Sequence, residues 1–212
     1  DPEMSRGLGD VYKRQIIYPS DECWAEFIRA VLMRDTVFRK RTDDREERQM
    51  ALEKAEAYLK QAGFADRIIK LEQSTATVDL AAAALGVEPG MIAKTMSFYQ
   101  GEQVILILTE GTARIDNRKY KDTFHIKAKM IPFEEVEAAV GHAPGGVCPF
   151  GIKEGITVYL DESLKQFETV YPAAGDDHSA VRLSVAELAQ ITGASWVDVC
   201  KDCLLYTSPS PR

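Results

Sequence analysis

Ile92-Ala-Lys-Thr-Met-Ser-Phe-Tyr-Gln-Gly-Glu-Gln-Val-Ile-Leu-Ile-Leu-Thr109 holds two apolar runs, Ile92–Phe98 and Gln103–Thr109, separated by Gln100-Gly101-Glu102. Both runs are rich in residues that suit a pleated strand, and the short glycine-containing break between them is a hairpin signal. The second run carries Val-Ile-Leu-Ile-Leu without interruption. A strand with no polar alternation is covered on both faces, so this one is expected at the centre of its sheet. A hairpin at the heart of the chain argues against a doubly wound parallel sheet.

Working outward, the flanking segments alternate irregularly between helix and strand. Upstream, Ala51–Gln61 has helical spacing with Gly63 as its stop, Arg67–Leu71 reads as a strand, and Val78–Leu85 reads as a helix ending at Gly86. Ser74, Thr75 or Thr77 can cap that helix, and its four alanines make one side smooth enough to lie against a sheet. Downstream, Asp116 caps Asn117–Asp122, His125–Ile131 alternates as a strand would, and Pro132 opens a helix over Phe133–Val140. Then follow strands at Thr157–Leu160, Glu168–Tyr171 and Ser179–Leu183, a helix at Val185–Ile191 and a last strand at Trp196–Val199. The pattern predicts an α/β fold: a single domain built on a mixed sheet with flanking helices.

Between the Phe133–Val140 helix and the next strand lies Gly141-His-Ala-Pro-Gly-Gly-Val-Cys-Pro-Phe-Gly151. A plain connection of about 4–6 residues needs one or two breakers. Four glycines and two prolines instead give fixed kinks, positive-φ positions and peptide groups that no side chain shields. Such a loop binds with its backbone.

The chain has 212 residues, 45% of them hydrophobic, and a net charge of −7. No stretch reaches the roughly 18 apolar residues of a membrane span, and the start lacks a signal-peptide pattern, so the expectation is a cytoplasmic protein with no membrane partner. An acidic molecule is no general magnet for DNA, and any RNA contact must be local. Four scattered cysteines point to reduced thiols; Cys200 and Cys203 stand alone as a pair, which is too little for a zinc or redox site. Both ends read differently from the middle. Asp10–Gln15 and Cys203–Arg212 resemble translated sequencing-adapter sequence, and Arg45-Glu-Glu-Arg48 resembles a translated ribosome-binding site just before Met50. The expected organisation is therefore a non-native or disordered leader over 1–49, a domain over 50–201 and a non-native tail over 202–212. The competing reading is a genuine helical extension around Cys23–Met33.

Few residues can carry chemistry. Lys94, at the junction of a helical turn and an apolar strand, either faces solvent or projects over the mouth of the sheet to hold an anion or ester oxygen. The run with Arg114, Arg118, Lys119 and Lys121 is the strongest positive segment and the best candidate for phosphate contact, the alternative being a solvated helix face. His142 and the Asp177-His178 pair could form an acid–base couple, though no spacing ties them. Cys148 reads as a buried structural thiol. No metal-ligand pattern, P-loop or dinucleotide motif is present.

Val78–Gly86, Ile92-Ala-Lys-Thr95, Gly141–Gly151, Phe167-Glu-Thr-Val-Tyr171 and Ala173-Ala-Gly175 with Ser179-Ala-Val181 together resemble the YbaK/EbsC family, stand-alone relatives of the editing domain of bacterial prolyl-tRNA synthetases. The resemblance spans about Met50–Lys201. It implies a barrel-like sheet with helices outside, and hydrolysis of the ester joining a wrong amino acid to a tRNA 3′ end, without metal or other cofactor. It assigns Lys94 to fixing the terminal adenosine or its phosphate, and the Gly145-Gly146 backbone to holding the aminoacyl group and the attacking water. The same motifs put Thr95, His142, Pro149, Gly151, Ala173, Gly175, Asp177 and His178 around the substrate. Mischarged proline tRNA carrying cysteine or alanine is the implied substrate, and prolyl-tRNA synthetase a candidate partner. Members acting on cysteinyl-tRNA have serine where this chain has Ala173, which leaves the amino acid open. The alternative class is a non-catalytic tRNA- or synthetase-binding regulator on the same fold.

Overall fold

The computed structural model describes residues 49–201. The expected tail, and the expected leader up to residue 48, lie outside the described residues, as do Cys203 and the segment Cys23–Met33 for which a helical extension is the competing expectation. At the centre is the hairpin. Strands β2 (Ile92–Gln100) and β3 (Gln103–Glu110) pair antiparallel from Ala93↔Glu110 to Gln100↔Gln103, and Gly101 closes the turn at φ 66°. Around them a six-stranded mixed sheet runs in the order β7-β5-β2-β3-β4-β8 and curls into a half-barrel. Its other members are β4 (Thr157–Asp161), β5 (Thr169–Pro172), β7 (Leu183–Ser184) and β8 (Ser195–Val197). The β2·β5, β3·β4 and β4·β8 contacts are parallel, and β5·β7 is antiparallel.

The apolar run in β3 serves two cores at once. Leu106 and Leu108 face a cluster with Ala55 and Leu59 of helix α1 (49–61), Phe150, Leu160 and Leu188 of α5 (Val185–Thr192). Ile105 and Ile107 face the opposite way, onto Phe98, Val199 and Tyr120 of α3 (Asn117–Phe124). A two-residue period with apolar atoms on both faces is what a covered central strand requires. Ring contacts Phe98–Tyr120 at 5.3 Å and Phe124–Tyr159 at 5.1 Å fix α3 on its face, each worth about 0.5–1.5 kcal/mol beyond burial, and Tyr120–Phe124 at 4.7 Å joins the two rings within the helix.

Smaller elements complete the frame. Helix α2 (Val78–Leu85) is capped by Thr77, whose Oγ1 accepts from Leu80 N, and ends at Gly86 with φ 67°. Two of its four alanines, Ala81 and Ala82, are buried and pack with Ile92 and Tyr171. Ser184 and Glu187 form a reciprocal capping box at the start of α5.

Three expectations need correction. His125–Ile131 is not a strand: His125 closes α3 in the left-handed region at φ 61°, and the segment beyond it meets β2 at the single bridge Phe98↔Met130. Phe133–Val140 is not one helix but a 3-10 turn (Phe133–Glu135) followed by the short α4 (Val136–Val140). The Ser179–Leu183 run divides into β6 (Ser179–Val181), which pairs with β1 (Ile68–Lys70) in a separate two-stranded sheet, and β7, which pairs with β5. Arg182 between them donates its N–H to Arg67 O, so one extended run serves two sheets.

Candidate active site

Where the start of β2 meets the end of β5, at Ile92↔Tyr171 and Ala93↔Pro172, a cavity of about 200 Å³ opens. Helix α2 walls it with Thr77 and Ala81, β2 contributes Lys94 and Thr95, and the Gly/Pro loop contributes Gly145. Ala173 and Ser179 close the far side.

Lys94 is half-buried and tethered. Its Nζ donates to Gly111 O at 3.0 Å and Ala113 O at 2.7 Å, which leaves one of three ammonium donors for a ligand. Burial pushes its pKa below the ordinary lysine value; Cys200 and Glu110 oppose that, and Arg114 adds to it. The lysine belongs to the cavity rather than to open solvent.

The Gly/Pro loop exposes Gly145, presents Val147 beside it to the cavity, and buries His142, Ala143, Gly146, Cys148, Pro149 and Phe150. Gly145 is exposed at φ 91° and lines the cavity, with room for no more than a tight contact against Ala76. Gly146 is buried: a Cβ there would lie 2.6 Å from Asp176 Cα. His142 is fully buried, its Nδ1 3.8 Å from Cys148 Sγ and its Nε2 without a partner among the described residues. Desolvation lowers the His142 pKa to about 4 and raises that of Cys148 to about 12, so both are neutral near pH 7. They hold the loop together from within.

The remaining expected residues separate into groups. Gly151 and Gly175 abut the backbone of α1, where a Cβ would lie 2.8 Å from Lys54 O and 2.7 Å from Ala51 O, so both glycine loops lean on one turn of that helix. Pro149 and Gly151 also line a different depression, with Tyr58 and Thr192. Asp177 does not line the cavity but braces it: its carbonyl accepts from Thr75 N at 2.6 Å and its carboxylate from Ser74 Oγ at 3.3 Å. Exposed His178 places Nδ1 3.0 Å from Asp177 Oδ1. Arg114, Arg118 and Lys121 are exposed on and before α3, next along the chain from the turn that holds Lys94, while Lys119 pairs with Asp198 at 2.9 Å.

Sequence reasoning missed Thr75, which lines the cavity at 9% exposure, and the carbonyls of Gly111 and Ala113. Thr75 Oγ1 and Thr95 Oγ1 are buried without hydrogen-bond partners among the described residues. Carbonyls carry no side-chain signature, but a polar residue beside a helix cap was a signal for Thr75.

Residues 72–191 match the profile of the aminoacyl-tRNA editing domain. The chain belongs to the aminoacyl-tRNA editing domain family. It is 44% identical to the uncharacterized protein YwhH of Bacillus subtilis (strain 168), over 72% of this chain and 99% of YwhH. It is 25% identical to EbsC of Enterococcus faecalis, a candidate Cys-tRNA(Pro)/Cys-tRNA(Cys) deacylase, over 56% of this chain and 73% of EbsC. A crystal structure of a proposed trans-editing enzyme for prolyl-tRNA synthetase superposes with TM-score 0.66 at 31% identity, covering 71% of this chain and 97% of that one. The YbaK/EbsC resemblance and the fold it implied are thereby borne out.

Proposed function

We propose that this editing-domain protein is a trans-acting deacylase whose working unit is residues 50–201. It hydrolyses the ester between a small, wrongly attached amino acid and the 3′ end of a tRNA, with cysteine- or alanine-charged proline tRNA as the leading substrates. The observation that carries the reading is that Lys94 and Gly145, far apart in sequence, line one cavity.

The roles follow from the chemistry of these groups. Lys94, with one donor free, holds the terminal adenosine or its phosphate. The bare peptide at Gly145, backed by Gly146, fixes the aminoacyl group so that water meets the ester carbonyl carbon. A new C–O bond forms from the water oxygen to the carbonyl carbon, the bond from that carbon to the ribose oxygen breaks, the ribose oxygen takes up a proton given up by the water to become a hydroxyl, and the products are free amino acid and uncharged tRNA. An aminoacyl ester is labile already, and correct placement is worth up to about 7–11 kcal/mol of barrier. No metal has a part in this scheme. Thr95 and Ala173 border the amino acid, with His142, Pro149, Gly151, Gly175, Asp177 and His178 keeping the surrounding loops in shape. Arg114, Arg118, Lys119 and Lys121 lead the acceptor end of the tRNA to the cavity, and prolyl-tRNA synthetase is a cytoplasmic partner that offsets the acidic surface.

A second reading is a non-catalytic tRNA or synthetase binder; the exposed position of His178, outside the cavity lining, favours it, since no imidazole reaches the cavity to act as base. A deacylation panel on the full chain separates the two, using proline tRNA charged with cysteine, alanine, serine or proline, with and without chelator. Loss of one mischarged ester, insensitive to chelator and absent in Lys94→Ala, supports the deacylase. Tight tRNA binding with no turnover supports the binder.

A further inference from the structure

Ile92 and Lys94 lie two residues apart on β2, in an unbroken ladder with β3, so their side chains leave the same face of the strand. Tyr171 of β5 is the parallel partner of Ile92, and partners at one level of a parallel pair share a face. Ala81, Ala82 and Ile92 form one buried apolar cluster, with Val78, Leu85 and Tyr171 packed against it. The shared face is therefore the one that α2 covers. Lys94 and Tyr171 both stand on this floor beneath α2, one strand apart and about 7 Å apart along the strands at the usual rise of a strand.

The floor changes character over that step. From the cluster, Val78, Ala81, Leu85, Ile92 and Tyr171 line the cavity and present almost only carbon to it. Val78, Ala81 and Leu85 are spaced i, i+3, i+7 and so make one stripe of α2. Tyr171 packs against the cluster yet stays half-buried, which leaves aromatic surface over at the cavity. A side chain as small as that of alanine or cysteine, held beside Lys94 and Gly145, does not reach it. The base of the same nucleotide does. A ribose carries its ester on one side and its base on the other, and its breadth matches the step from Lys94 to Ile92. Flat bases stack on aromatic and aliphatic surfaces without needing hydrogen bonds.

We propose that Tyr171 and the Val78–Ala81–Leu85 stripe of α2 form a base subsite, which takes the adenine of the terminal adenosine while Lys94 and Gly145 meet its sugar and ester. The inference deepens the deacylase reading and rests on it for the identity of the substrate. The experiment gives the full chain the alanyl esters of adenosine and of cytidine as minimal substrates. Wild type is expected to favour the adenosine ester about tenfold or more in kcat/KM, the difference falling on KM. Tyr171→Leu keeps apolar bulk without the ring and should bring the two esters within about threefold; Tyr171→Phe, which keeps the ring, should restore the preference. AMP and CMP serve as binding probes without chemistry. AMP should move the Tyr171 ring protons, assigned by their loss in Tyr171→Leu, upfield at concentrations where CMP does not. Should Tyr171→Leu fail to fold, Leu85→Ala thins the opposite jaw and should lower the same preference. Equal use of the two esters by wild type, or a preference unchanged in the folded variant, overturns the proposal. So does a variant that alters the choice between alanyl and leucyl esters but not between bases, because Tyr171 would then meet the amino acid. AMP binding that Tyr171→Leu abolishes, in a protein that cleaves no ester, tRNA-linked ones included, would sink the deacylase reading and leave the subsite standing; cleavage without base selection would do the reverse.

Discussion

Gly146 and Asp176 meet backbone against backbone. A methyl group at Gly146 would lie 2.6 Å from Asp176 Cα and 2.7 Å from Asp176 C, with no flexible side chain to yield. The Gly/Pro loop and the loop after β5 thus reach the cavity as one joined wall. Gly146→Ala is expected to push them apart, lowering stability by about 1–3 kcal/mol and deacylation by a larger factor than Gly63→Ala, a positive-φ site in open space. Urea melts beside single-turnover deacylation read both effects; equal activity in the two variants would refute the joined-wall role.

Lys94→Ala is expected to lower deacylation by about 100-fold or more while melting within a few degrees of wild type. The asymmetry follows from partial burial. Desolvation opposes the charged form, so removing the ammonium sacrifices little folding energy even though two carbonyl bonds go with it.

His142 makes folding sensitive to acid. Its folded pKa of about 4 lies below the ordinary 6.5, so the unfolded chain binds more protons between those values and stability rises with pH there. The full contribution is present above about pH 6.5. It is lost as pH falls towards 4, by about 3 kcal/mol in total. Urea midpoints from pH 7.5 to 4.5 should fall in wild type and flatten in His142→Phe.

Thr95→Val should keep or gain stability, up to about 1 kcal/mol, because it replaces an unpartnered buried hydroxyl by a methyl of like shape. Deacylation should drop about tenfold if the hydroxyl contacts the aminoacyl group. A variant that is less stable than wild type would show that the hydroxyl already has a structural partner.

Arg118→Ala with Lys121→Ala is expected to raise KM and flatten its salt dependence, with kcat unchanged, as loss of phosphate contacts should. A fall in kcat alone would place these cations in the chemistry instead.

Much of the fold was legible because the decisive signals were local. The Gln100-Gly101-Glu102 break, the Asp116 and Thr77 caps and the unbroken apolar run in β3 each act within a few residues. The misread segments failed where tertiary partners decided. Lys127–Lys129 alternates like a strand, yet α3 ends at His125 and leaves that stretch only a brief contact with β2. Likewise nothing local says that Ala180 pairs with β1 while Leu183 pairs with β5. At the site, the resemblance supplied Lys94 and Gly145, but the Gly111 and Ala113 carbonyls that hold Lys94 were invisible because a carbonyl carries no side-chain signature.

The Gly/Pro loop is turned inside out relative to an ordinary surface loop. His142, Cys148 and Phe150 are buried within it, and what it offers the cavity at Gly145 is the bare main chain. Main chain is the same in every protein, so at Gly145 there is no side chain to trim, and the loop's variable contribution to the cavity is Val147. On the deacylase reading, a change of amino acid preference comes from the side chains that line the cavity, Thr95, Val147 and Ala173 among them, and an evolving or engineered relative can alter its appetite there while inheriting the Gly145 peptide intact.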